Sequence, residues 1–152
     1  MIVSEKTLKW AIRFYPPLFF QRIWVKSFAP GFKGVSVNIR KSIFNKNYNN
    51  SIFGGTLFAA ADPFYPLLFH QLFLRRGHQV IVWLKSAQIQ YLKPATTHLH
   101  FDIMLDDATI AEAEHMLMTE GKFIKTFTVE IFNTQGELCV TVQTEAYARK
   151  LN

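Results

Sequence analysis

Between Ile52 and Leu74 the chain is almost wholly apolar, and this one segment limits what the rest can fold into. It is long enough to cross a bilayer, and its only ionisable groups near neutral pH are Asp62 and His70. Pro63, Pro66, the acid and Gln71 argue against a membrane span. The alternative is a helix apolar all round, which needs a protein core to enclose it. Gly54-Gly55 opens this helix, and Arg75, Arg76 and Gly77 suit its end. An ionised carboxylate is costly to bury without a partner, so Asp62 either reaches the surface or has a chemical role. Pro63 cannot donate to the carbonyl of Ala59, nor Pro66 to that of Asp62, so the helix is expected to kink here.

The flanking sequence reads as the enclosure. Residues 35–40 alternate, with Val35, Val37 and Ile39 on one face. Residues 79–91, 97–105, 122–132 and 138–148 read as four further strands. The turn at 133–136 joins the last two as a hairpin. A small helix over 108–119 begins at Asp106-Asp107 and closes at Gly121. Residues 8–28, aromatic, basic and broken by Pro16-Pro17, read as two short amphipathic helices that cap a core or lie on a membrane surface. One apolar helix beside many half-buried strands has a simple solution: an antiparallel sheet curled around the helix, an α+β fold. We expect one domain of 152 residues, with 1–29 as a helical extension and 30–150 as the core.

Apolar residues at 49% against 18% charged argue against disorder, and fifteen phenylalanines imply a large core or a lipid-like ligand. The single Cys139 excludes an intrachain disulfide and a thiolate metal cluster. With no secretory signal pattern at the N-terminus, a cytoplasmic setting is expected. The net charge of +6 is uneven: residues 1–50 hold nine Lys/Arg and one acid, the remainder eight and ten. That basic third suits an anionic lipid, a phosphorylated ligand or nucleic acid, but the interleaved pattern of nucleic-acid modules is missing, so no nucleic-acid partner is expected. His98, His100 and His115 lack a helical histidine pair or a carboxylate partner, so neither metal nor cofactor is expected. There is no GxSxG elbow, P-loop or dinucleotide fingerprint.

Several phrases, in order, carry a resemblance. They are Tyr15-Pro16-Pro17, Asn47 seven residues before the first glycine, Phe53-Gly54-Gly55, Ala61-Asp62-Pro63-Phe64-Tyr65, Val82-Trp83, and Tyr91-Leu92-Lys93-Pro94. Over residues 30–150 the chain resembles the hotdog-fold acyl-CoA thioesterases, and most nearly a bacterial branch labelled tetrameric acyl-CoA thioesterase-like. The resemblance implies a dimer or dimer of dimers that binds acyl-CoA between subunits. Carried over, Gly55 supplies a backbone N–H to the thioester carbonyl, Asp62 the base or nucleophile, and Asn47 a positioning contact. Two positions depart from the pattern: that branch has a histidine where this chain has Ile52 and often an acid where it has Leu84. Many related enzymes also carry a histidine directly before the glycines, where Phe53 stands.

The same residues carry this chemistry on physical grounds. Free N–H groups at a helix start stabilise an oxyanion, and glycine allows close approach. Gly54, Phe53 and Phe58 are then expected at the substrate, with Phe64 and Phe69 as further candidates for an acyl channel. Asp62 lies two turns from Gly55, roughly 10 Å along the axis, too far to serve one carbonyl within a single subunit. A partner subunit's carboxylate meets that need. The competing expectation is an Asp62 that pairs with a cation or caps a second helical piece with Pro63 at its first position. The competing function is an acyl or acyl-CoA binding protein without turnover.

Overall fold

In the computed structural model, which describes residues 2–151, two short helices lead into a single six-stranded sheet. Helix α1 (Glu5–Arg13) starts where the Ser4 hydroxyl accepts the Thr7 N–H at 3.1 Å, with Glu5 in the first turn. Helix α2 (Pro16–Phe19) has proline at its first position, where the missing N–H costs nothing. The strands are β1 (Ile23–Phe28), β2 (Gly34–Ile39), β3 (Val80–Tyr91), β4 (Leu99–Met104), β5 (Lys122–Asn133) and β6 (Leu138–Lys150). They pair in the order β1-β2-β4-β5-β6-β3, every neighbour antiparallel. The pairing of β4 with β5 is confined to Leu99–Asn133 and His100–Phe132, a narrow seam that lets the sheet curl.

β1 corrects the sequence reading, which places helix through residue 28. Ile23 and Val25 are buried while Lys26 and Ser27 are exposed, and β1 pairs with β2 as an edge strand. The sheet therefore begins at Ile23, inside the segment expected to be a helical extension.

The apolar segment forms two helices, α3 (Gly54–Ala61) and α4 (Phe64–Arg75), separated at Asp62-Pro63. Both junction residues keep right-handed helical backbone, so the break is a bend rather than a turn, as expected where proline removes a ladder bond. α4 sets Phe64, Leu68, Phe69, Leu72 and Phe73 into the core, where Phe69 meets the rings of Phe123 and Phe127 at 5.2 and 5.6 Å. Helix α5 (Asp107–Glu120) is capped by the Asp106 carboxylate, which accepts the Thr109 N–H at 2.6 Å. It ends at Gly121, whose φ of 73° favours glycine.

The sheet covers all but one side of α3 and α4. The uncovered stripe runs through Gly55, Phe58, Ala59, Asp62, Pro63, Pro66, Leu67 and His70, each at least partly exposed. No helix among the described residues is long and apolar enough to cross a membrane.

Candidate active site

Three clefts follow this stripe. The first, about 450 Å³, sits at the start of α3 and is lined by Asn47, Ser51, Ile52, Phe53, Gly54, Gly55 and Tyr91 among others. The second, about 440 Å³, continues along the helix past Gly55, Phe58, Asp62 and Pro63 to Tyr15 and Pro17 of the N-terminal segment. The third, about 410 Å³, lies at the bend, between Asp62, Pro63, Pro66 and His70 on the helices and Val82, Trp83 and Leu84 on β3.

At the helix start, neither the Gly54 nor the Gly55 N–H has a protein acceptor among the described residues. The first bonds of the helix come from Thr56 and Leu57, both to the Phe53 carbonyl. A side chain at either glycine would displace an exposed aromatic ring. A Cβ on Gly54 would stand 2.8 Å from the Tyr91 hydroxyl, which donates to the Gly54 carbonyl at 3.1 Å. A Cβ on Gly55 would stand 2.4 Å from the Phe53 ring, which therefore lies against the helix start.

Asn47 reaches this cleft with its side chain already engaged. Its amide donates to the Ser51 hydroxyl at 2.9 Å, and its carbonyl oxygen accepts the N–H groups of Asn49 and Ser51 at 3.0 and 3.1 Å. It holds the loop before α3 in shape, and any positioning effect passes through that loop. Ile52 is buried beneath it and bonds through its N–H to the Ala95 carbonyl at 2.9 Å.

Asp62 is exposed on the uncovered stripe, at the end of α3. It has neither of the ordinary structural roles open to it: no cation among the described residues pairs with it, and α4, with Pro63 at its N-cap, has no side-chain cap bond. Partial desolvation by its surroundings still raises its carboxyl above the usual aspartate value. His70 lies further along the same side, its imidazole held below the usual value by burial and hence neutral at pH 7. Its presence in Asp62's cleft went unread in the sequence, although the two are the only carboxylate and imidazole of the apolar segment. Tyr91, against Gly54, was legible only as part of the strand end.

The structure thus brings Gly54, Gly55, Phe53 and Asn47 to one cleft and Gly55, Phe58 and Asp62 to the next. Phe53 and Phe58 are exposed, at 57% and 37%; Phe64 and Phe69, considered for an acyl channel, are core residues with no exposure. Leu84, where the resembling branch often has an acid, faces the cleft of Asp62.

A curled antiparallel sheet around a bent central helix is the hotdog fold of the thioesterase and PaaI-like proteins. Within it, the chain belongs to the family described as Domain of unknown function (DUF4442), which matches residues 4–148. Three solved structures share the fold. A Pseudomonas aeruginosa protein of unknown function, described as a "Probable Thioesterase", superposes with a TM-score of 0.83 at 17% identity over 99% of each chain. A Haemophilus influenzae thioesterase gives 0.71 at 13% identity, over 99% of this chain and 94% of its own. The PaaI protein of the E. coli phenylacetic acid degradation operon gives 0.62 at 13% identity, over 97% and 92%. No curated protein matches the chain by sequence.

Proposed function

We propose that the protein is an acyl-CoA thioesterase whose site is completed between two subunits. The observation that carries this reading is Asp62: a carboxylate with a raised pKa and no cation partner among the described residues, at the bend of a helix whose start offers two N–H groups without a protein acceptor among them. A base with a pKa moved toward neutrality takes a proton from water more effectively. The N–H of Gly55 faces the thioester oxygen as charge develops there, and Phe53 and Phe58 contact the acyl group. Asp62 would remove a proton from the attacking water or attack the carbonyl itself. No metal or cofactor enters the scheme.

The separation of roughly 10 Å between Gly55 and Asp62 along one helix assigns them to two complementary half-sites. β3 is the sheet edge beside Asp62, and its unpaired backbone suits pairing with a second copy. A homodimer, or a dimer of dimers, follows from this reading. Acyl-CoA as substrate fits a cytoplasmic location.

A second reading has a specific observation behind it. The Phe53 ring lies against Gly55, and Ile52 stands where related proteins have a histidine, so the site could hold an acyl group or acyl-CoA without turning it over. Thiol release from a panel of acyl-CoAs, short, long and aromatic, separates the two. Hydrolysis of at least one member is expected; tight binding with no thiol released by any would replace the enzyme with a binding protein.

A further inference from the structure

We propose that the aromatic, basic N-terminal surface docks the protein on an anionic phospholipid membrane. Ring contacts make this surface continuous. Trp10 stacks on Phe14 at 6.3 Å, Phe14 on Phe19 at 6.1 Å, and Phe19 meets Phe20 and Trp24 at 5.4 and 6.1 Å. The Arg22 guanidinium lies over both Phe19 and Phe44, at 5.9 and 4.9 Å. The chain of contacts thus joins α1, α2, the start of β1 and the loop after β2. Much of its apolar surface faces outward: Phe14 is 67% exposed, Phe20 61%, Ile43 77% and Phe44 60%.

The cations along this surface lack acidic partners. Arg13, Arg22, Arg40 and Lys41 form no ion pair with a carboxylate among the described residues. Three of them converge on a cleft of about 830 Å³ with Trp24, Phe44 and His98, and no acid lines it. The cleft shares no lining residue with the three clefts of the candidate active site.

This cleft is held in shape from within. Buried Asn45 donates to the carbonyls of Gln21 and Arg40 at 2.7 and 2.9 Å, and its side-chain oxygen accepts the Ser42 N–H at 2.9 Å. Arg22 has left-handed backbone, φ 59°, an uncommon conformation for a side chain of its size. The Nε of Arg22 and the Nε1 of Trp24 are covered and meet no acceptor among the described residues. The charges of Arg22, Arg40 and Lys41 in the cleft match a phosphate group, beside rings that match the boundary between headgroups and acyl chains.

The occupant follows from charge and shape together. A second copy of this face would bring the same unpaired cations against these. A soluble phosphate or nucleotide would fill the cleft but leave Phe14 and Phe20, which do not line it, in water. A lipid surface supplies phosphate to the cleft and apolar contact to the rings around it, and amphipathic elements with basic and aromatic residues bind such surfaces.

Co-sedimentation with vesicles of phosphatidylcholine, with and without phosphatidylglycerol, tests this independently of any turnover. The protein is expected to pellet with the anionic vesicles only, and less so as salt rises. The pairs Phe14→Ser with Phe20→Ser, and Arg22→Gln with Arg40→Gln, should each lower partitioning about tenfold or more, with unchanged circular dichroism. Absence of pelleting, or equal pelleting with neutral vesicles, would overturn the proposal. So would inorganic phosphate or ADP binding to the cleft while the Phe14/Phe20 variant pellets like the native protein, which would mark a small-ligand site. A change of oligomeric state in that variant by sedimentation velocity would mark a self-association face instead.

Discussion

Asp62→Asn is expected to lower acyl-CoA hydrolysis by at least about 100-fold while leaving the protein as stable as before or more so. The first figure follows from the contribution of a positioned base, about 10² to 10⁴ in rate. The second follows from the direction of the Asp62 shift. Its folded pKa is raised above the ordinary 3.8 by desolvation, so folding disfavours the ionised form. That cost is absent below the unfolded value, grows as pH rises toward the folded value, and is full above it. Asparagine removes it. The variant's melting temperature should therefore equal or exceed that of the native protein at neutral pH, with the difference closing at acid pH. Thermal melts across pH beside a thiol-release assay measure both halves. A variant that stays active removes Asp62 from the chemistry. One that loses activity and melts much earlier at neutral pH shows a structural role instead.

The largest loss of stability should come from Phe69→Ala. Phe69 is fully enclosed, stacked with Phe73 at 5.8 Å and set against Phe123 and Phe127. Truncating such a ring costs about 3–5 kcal/mol, because the surrounding helix and sheet cannot collapse to fill the space. That is a large part of the 5–15 kcal/mol typical of whole proteins. Urea denaturation should show the midpoint falling with its slope unchanged. Phe58→Ala, on the uncovered stripe, is the contrast: its stability should change far less. Equal losses at the two positions would mean that the sheet does not enclose α4 as described.

The central helix and its bend were legible because the signals are local: a long apolar run, two glycines at its start, and prolines that cannot donate to the ladder. The four later strands and α5 were legible from alternation and end residues. β1 was misread because Phe19, Phe20, Arg22, Trp24 and Lys26 continue the aromatic and basic character of α1 and α2. The alternation of Ile23 and Val25 is too short to stand out, and pairing with β2 decides the outcome. At the site, the Gly54-Gly55 and Asp62 positions could be read from spacing along a helix. The engagement of Asn47 with Ser51 could not, because both partners lie in an irregular loop. Nor could the sequence separate Phe53 and Phe58, which face outward, from Phe64 and Phe69. All four sit in one apolar run, and only the direction in which the sheet closes tells them apart.

The most direct test of a shared site is complementation between subunits. Asp62→Asn and Gly55→Val chains, each inactive alone and carrying different tags, are co-expressed and the mixed assembly is isolated by both tags. If Asp62 of one chain serves the Gly55 helix start of the other, each mixed pair holds one intact site, and thiol release should return to roughly half the native rate per dimer. A mixed assembly as inactive as its two parents would contradict a site built from both chains.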